Sequence, residues 1–196
     1  LAIGNIPSLN CYQPVLYADL DVIFDAPIQP FFEAMIFSEK LSAQSERFHR
    51  LGETECLRVG GTLFSEDPMN FKECFGFNAG IIGLPGVVRA GWALRIAQRA
   101  LRYYAAEHGR DGLPGYEQSM LNYSLRRLDM FEPGPVSSRT QITNLADRLD
   151  ENKPRGFVHF WPAAENRAME MQNYFDALKR KMVEIDGEQA VDQLAV

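Results

Sequence analysis

Two aspartates one residue apart, Asp19 and Asp21, follow the apolar run Val15-Leu16-Tyr17 and precede a second one, Val22-Ile23-Phe24. Carboxylates at the end of a buried strand are costly to leave unpaired. A divalent cation is the simplest compensation, because hard oxygen donors suit Mg2+ or Mn2+. In an extended chain the two side chains point to one side and Leu20 to the other. They can then converge on one ion, or on a ligand that carries it. The plainer alternative is a strand end or turn with two solvated carboxylates.

The chain has 3 histidines, His49, His108 and His159. His49 stands in a polar stretch, and His108 stands near a helix end, where an imidazolium favours the dipole. His159 stands in the apolar run Gly156-Phe157-Val158-His159-Phe160-Trp161, stopped by Pro162. A lone histidine there is ordinarily a hydrogen-bonded core residue; beside a carboxylate pair it becomes a third metal ligand. Asn78, Ala79 and Gly80 occupy the middle of another strand-like run, where small residues let a backbone or a ligand approach closely. The alternative there is a β-bulge with Asn78 bonded to a neighbouring strand. Glu117 and Gln118 open a helical segment, where a carboxylate complements the dipole. Their alternative is simple helix capping.

The elements that must position these residues follow from periodicity. Pro14 to Asp25 reads as one buried strand around which the chain is organised. Leu1 to Tyr12 reads as a loop or the tail of an earlier element. Phe31, Phe32, Met35 and Ile36 give one face of a short helix, and Ser38 to Glu55 reads as loop or short helix. Cys56 to Phe64 reads as a strand broken at Gly60-Gly61, and Phe75 to Leu84 as another strand. Trp92, Ile96 and Tyr103 recur at helical spacing in a helix from about Val88 to His108, with Gly109 as its C-cap. Met120, Leu121, Leu125 and Leu128 mark a helix from Tyr116 to Leu128. Asp129 to Pro133 reads as a short strand, Gly134 to Pro154 as irregular, and Gly156 to Trp161 as a last strand. Ala168, Met171, Phe175, Leu178, Met182 and Ile185 mark a helix from Glu165 to about Asp186, after which the tail frays or stays helical. Strands alternating with helices imply an α/β fold with a mixed sheet flanked by helices.

The 196 residues suit a single domain, taken as residues 1–187 with a tail at 188–196. An apolar fraction of 46% allows a sizeable core. A formal charge of −6 and a pI near 5.1 argue against nonspecific binding to nucleic acid or anionic lipid. No run approaches the roughly 18 apolar residues of a membrane span, and no signal peptide is evident. The first residue is Leu1, as in a processed or cropped chain. Cys11, Cys56 and Cys74 have no C-x-x-C spacing and read as reduced thiols of a cytoplasmic protein.

In this order, V-L-Y-A-D-L-D-V-I-F, F-N-A-G-I-I-G-L, Y-E-Q-S-M-L-N and F-V-H-F-W resemble glycosyltransferase family eight and its GT-A-fold relatives. The family pattern has a Y-x-D-x-D strand, an F-N-S/A-G strand, a D-Q-x-x-L-N helix and a late H-x-x-G-x-x-K-P-W segment. The resemblance runs from about Tyr12 to Arg167. It implies a GT-A-like (Rossmann-like) fold, incomplete at the N-terminus, where the family holds uracil and ribose. It implies that Asp19, Asp21 and His159 bind Mn2+ (or Mg2+), and that the ion holds the diphosphate of a UDP-sugar. Asn78, Ala79 and Gly80 would line the donor-sugar region, Gln118 would sit near the anomeric carbon, and Glu117 matches the family aspartate beside the sugar. Two departures stand out. Glu117 replaces that aspartate, and the chain after His159 lacks the glycine and K-P-W, leaving Arg167 as the substitute for the lysine that meets the diphosphate.

The expectation is a metal-dependent hexosyltransferase that acts on a glycan or other hydroxyl acceptor, with retention. A non-catalytic carbohydrate-binding domain of the same fold is the first alternative. A phosphohydrolase of the haloacid-dehalogenase type is another; its pattern usually has Thr or Val where this chain has Ile23, and no downstream acidic pair completes it.

Overall fold

The computed structural model describes residues 2–51, 57–65, 67–69, 71, 74–109, 112–113, 115–142, 155–160 and 166–194. In chain order the elements are β1 (Val15–Ala18), β2 (Val22–Phe24), α1 (Gln29–Ile36), β3 (Leu41–Arg50), α2 (Gly61–Ser65), β4 (Phe75–Leu84), α3 (Val87–His108), α4 (Tyr116–Arg127), β5 (Phe131–Glu132), α5 (Gly134–Ser137), β6 (Thr140–Ile142), β7 (Phe157–His159) and α6 (Arg167–Leu194). The fold is mixed α/β, with two mixed sheets flanked by helices. The chain divides into two compact units: Leu1–Asp19 with Gln29–Ser138, and Leu20–Ile28 with Arg139–Val196. Among the described residues, no helix is long and apolar enough to cross a membrane.

The first unit is built on β4, the longest apolar strand of the chain. Its four-stranded sheet has the order β1-β4-β3-β5. Strands β1 and β3 run antiparallel to β4, and β5 runs parallel to β3. One face packs on α3 and α4 through Phe77, Ile82, Leu84, Ala90, Leu94, Leu121 and Leu125. The small residues of β4 admit close neighbours: a Cβ on Gly83 would stand 2.7 Å from the Phe31 ring, and one on Gly76 would stand 2.5 Å from Val59.

The pairing of β4 is interrupted where F-N-A-G lies. Its register on β3 passes from Ala43↔Ile82 to Gln44↔Asn78, and β1 ends at Ala18↔Ile81. Side chains of α4 take over from the missing strand neighbour. The Asn122 Oδ1 accepts the Phe77 N–H at 2.7 Å, and its Nδ2 donates to the Phe77 carbonyl at 2.8 Å. One helical turn earlier, Gln118 Oε1 accepts the Ala79 N–H at 3.0 Å. Buried backbone groups without partners cost as much as lost hydrogen bonds, so these two amides hold the sheet to the helix.

On the same helix Tyr123 donates to Asp67 at 2.6 Å, and Arg127 lies 3.1 Å from it. Burial pushes the Asp67 carboxyl up. The Tyr123 hydroxyl, the Met69 N–H and the Arg127 charge outweigh that push and hold it below its ordinary value.

Several expectations change. The strand expected from Pro14 to Asp25 is two strands in different sheets, broken at Asp19–Asp21. Leu20 and Asp21 form a turn, and Leu20 is 100% exposed. The alternation placing Leu20 opposite two parallel carboxylates therefore does not apply, because the chain is not extended there. The stretch expected as loop holds β3. Its Ser42, Gln44 and Glu46 are buried although polar, which hides the period-two apolar signal. Where a broken strand was expected, residues 57–59 form a 3-10 turn and Gly61–Ser65 a helix; 52–56 lie outside the described residues. The Leu1–Tyr12 stretch holds two 3-10 turns, Ala2–Asn5 and Pro7–Cys11. The irregular stretch contains α5 and β6, with 143–154 outside the described residues. Helices α3, α4 and α6 form where expected, and on α4 the expected face of Met120, Leu121 and Leu125 is buried. On α3 the expected face is the exposed one: Trp92, Ile96 and Tyr103 face water, while the smaller Ala90, Ala93, Leu94 and Ala97 pack inward. On α6 Phe175 and Met182 are exposed and Tyr174 and Ala177 are buried, and the helix continues through the tail to Leu194.

Asn122→Ala is expected to lower stability by about 2–4 kcal/mol, since it strips both main-chain groups of Phe77 of their partner. Urea denaturation with an unchanged m-value checks this.

Candidate metal centre

The second unit brings Asp21, His159 and Arg167 together. Strand β2 runs antiparallel to β7 in the register Val22↔His159, Ile23↔Val158 and Phe24↔Phe157, and β6 lies parallel on the other side of β7. Three apolar residues in β2 meet a strand that is fully buried at Phe157 and Val158, and the pair closes over Tyr174, Met171 and Leu178 of α6. The Phe160 N–H extends the ladder by one bond, donating to the Asp21 carbonyl at 2.9 Å. That bond fixes Asp21 beside His159.

The side chains follow from this register. Oδ1 of Asp21 lies 3.4 Å from Nε2 of His159, a ring only 4% exposed. Oδ2 accepts from Nη1 of Arg167, the first residue of α6, at 2.5 Å. Oδ1 is buried and has no hydrogen-bond donor among the described residues. A separation of 3.4 Å is long for a hydrogen bond. It is close to the roughly 3 Å between adjacent ligands bound to one ion at about 2.1 Å. A carboxylate oxygen with an imidazole nitrogen is a mixed donor set suited to a first-row divalent ion such as Mn2+ more than to Mg2+, which prefers all-oxygen ligands. The residues present therefore fit a divalent cation.

A second carboxylate of the same unit holds this geometry in place. Asp25 accepts from the Gly156 N–H at 2.7 Å, the Tyr174 hydroxyl at 2.9 Å and Gln141 Nε2 at 3.2 Å. Its own N–H donates to the Gly156 carbonyl at 3.2 Å. One side chain thus ties the end of β2 to β6, to the start of β7 and to α6. Arg167 and Tyr174 are seven residues apart, two turns along one helix face, and they meet Asp21 and Asp25, which bracket β2. Sequence reasoning missed Asp25, Gln141 and Tyr174. The available signal was Asp25 closing the same D-L-D-V-I-F-D stretch.

The other expected site residues belong to the first unit. Asp19 follows β1, its N–H donating to the Gly80 carbonyl at 2.8 Å and its carboxylate accepting the Tyr17 hydroxyl. Asn78 is 3% exposed; its Nδ2 donates to Glu46 on β3 at 3.2 Å, and its Oδ1 accepts the Gly80 N–H at 2.7 Å. With the register shift beside it, this is the bulge and cross-strand bond that stood as the alternative for Asn78. Ala79 and Gly80 lie in the bulged stretch. Gln118 is engaged at both ends, accepting from Ala79 and donating to the Arg58 carbonyl at 3.3 Å. Glu117 is exposed in the first turn of α4. Cys11 and Cys74 are free thiols, and Cys56 lies outside the described residues. No protein-family model and no curated protein matches the chain.

Asp25→Ala is expected to destabilise the chain by about 2–4 kcal/mol, because it strips three donors of their acceptor, and Tyr174→Phe by about 1 kcal/mol, because it removes one. Chemical denaturation of the two variants beside wild type checks the ranking.

Proposed function

We propose that this chain is a metal-dependent hexosyltransferase with a GT-A-like version of the α/β fold, transferring a sugar from a UDP-sugar to a glycan or other hydroxyl acceptor with retention. One observation carries the reading: the buried Oδ1 of Asp21 has no donor among the described residues and faces His159 Nε2 at 3.4 Å. An aspartate near the start of the chain and a histidine near its end were expected to share a cation, and this pair has the spacing to do so.

In this reading Asp19, Asp21 and His159 would be the ligand set, as the sequence resemblance implies. Only Leu20 separates the two aspartates in the sequence. A divalent cation held there, Mn2+ or Mg2+, would act as Lewis acid and template for the departing diphosphate. Arg167 adds a guanidinium that suits phosphate oxygens. By the same resemblance, Asn78, Ala79 and Gly80 would line the donor sugar, with Gln118 near its anomeric carbon and Glu117 beside it. Under retention no strong base is required, and Gln118 stabilises positive charge on the sugar ring. Under inversion Glu117 would take the acceptor proton. The acidic chain needs no nucleic acid partner, and a cytoplasmic setting suits its unpaired cysteines.

A second reading has its own support. Both ends of the Gln118 amide bond to backbone, at Ala79 and Arg58. A side chain so engaged suits a non-catalytic carbohydrate-binding domain of the same fold.

Mn2+ with UDP is expected to raise the melting temperature by linkage, and Asp21→Asn to remove that shift and reduce UDP-sugar turnover by about 100-fold or more. Calorimetry and a UDP-release assay check both effects. Glycan binding that ignores chelators, with no turnover, would favour the second reading; no shift with any divalent ion would count against the first.

A further inference from the structure

Arg167 stands at the disfavoured end of its helix. It opens α6, and the N-terminus of a helix carries positive partial charge, so a cation there is repelled by the dipole. Its partner compensates: Nη1 lies 2.5 Å from Oδ2 of Asp21. The Arg167 side chain is 40% exposed and that of Asp21 18%. A pair this open to water is weak enough to change partners.

The two oxygens of Asp21 thus face different cationic partners. Oδ2 holds the guanidinium, while Oδ1 turns inward to His159. The carboxylate has one negative charge, and an ion on Oδ1 would compete with Arg167 for it. A diphosphate brings new negative charge and acceptor geometry suited to a guanidinium. This inference rests on the reading of Asp21 and His159 as ligands of a diphosphate-bound ion. We propose that Arg167 is a latch on that site: it neutralises Asp21 when no ion is bound, and it moves to a diphosphate oxygen when ion and donor arrive together. Arg167 therefore weakens binding of the ion alone and strengthens binding of the diphosphate. By linkage, ion and diphosphate bind with positive coupling that depends on this residue.

The test uses the full chain and two titrations. Mn2+ alone is titrated by electron paramagnetic resonance, and UDP is titrated by calorimetry at saturating Mn2+. Arg167→Gln is expected to bind Mn2+ alone about 3–10-fold more tightly than wild type. The same variant is expected to bind UDP about 10-fold or more weakly. Both changes are required; an Arg167 with a purely structural role would weaken both affinities or move neither, and any such result overturns the latch. Asp21→Asn separates the two levels of failure. Mn2+ binding that Asp21→Asn abolishes and Arg167→Gln does not tighten leaves the site standing and removes the latch. Absence of Asp21-dependent Mn2+ binding in wild type and Arg167→Gln alike removes the site and the latch with it.

Discussion

Buried backbone groups must find partners, and the short stretch Asp19–Asp21 finds its partners in two different sheets. The Asp19 N–H bonds to the Gly80 carbonyl of β4, and the Asp21 carbonyl accepts from Phe160 beside β7. The chain between them turns, leaving Leu20 in water. A single strand from Pro14 to Asp25 would serve one sheet only. The break gives Asp21 its place next to His159 and gives Asp19 its place beside the F-N-A-G bulge.

Polar side chains then complete what the strands leave open. Asn122 presents its amide to Phe77 as a neighbouring strand would, donating and accepting at one residue. Gln118 does the same for Ala79 from one side, and Asp25 gathers three donors around the end of β2. In each case a short polar group meets main-chain atoms that would otherwise be buried alone. The Gln and Asn of the helix segment and the Asn of the strand segment thus have a physical reason to stand where they do, independent of any reaction. Asp21 and His159 differ. Asp21 Oδ1 is buried without a donor among the described residues, and the imidazole it faces is itself buried. That donor-free oxygen is why these residues, more than Gln118 or Asn78, carry the proposed reading.

The legible parts of the sequence were those where one face is apolar and the other is not. Helix α4 follows the 3.6-residue period because it lays one apolar stripe on the core, whereas on α3 and α6 the helix was legible but its inner face was not, since Ala90, Ala93, Ala97 and Tyr174 pack inward and the larger Trp92, Ile96, Tyr103, Phe175 and Met182 face water. Strand β4 was legible from its continuous apolar run, and β7 from Phe157-Val158. Strand β3 was illegible because Ser42, Gln44 and Glu46 are polar yet buried, so burial and hydrophobicity part company there. The helix at Gly61–Ser65 was missed because its short sequence, G-T-L-F-S, is as compatible with a strand by composition as with a turn of helix.

By itself, the sequence determined which side chains can do chemistry, the α/β class, and the helices that follow from periodic apolar faces. Those properties depend on residue type and on spacing along the chain. Tertiary structure alone decided that the D-L-D stretch bends between sheets, that β2 pairs with β7 in the register Val22↔His159, and that Asp25 and Tyr174 brace Arg167's helix. Strand register and side-chain meeting points depend on which distant backbone groups complete one another's hydrogen bonds, and no local pattern encodes that choice.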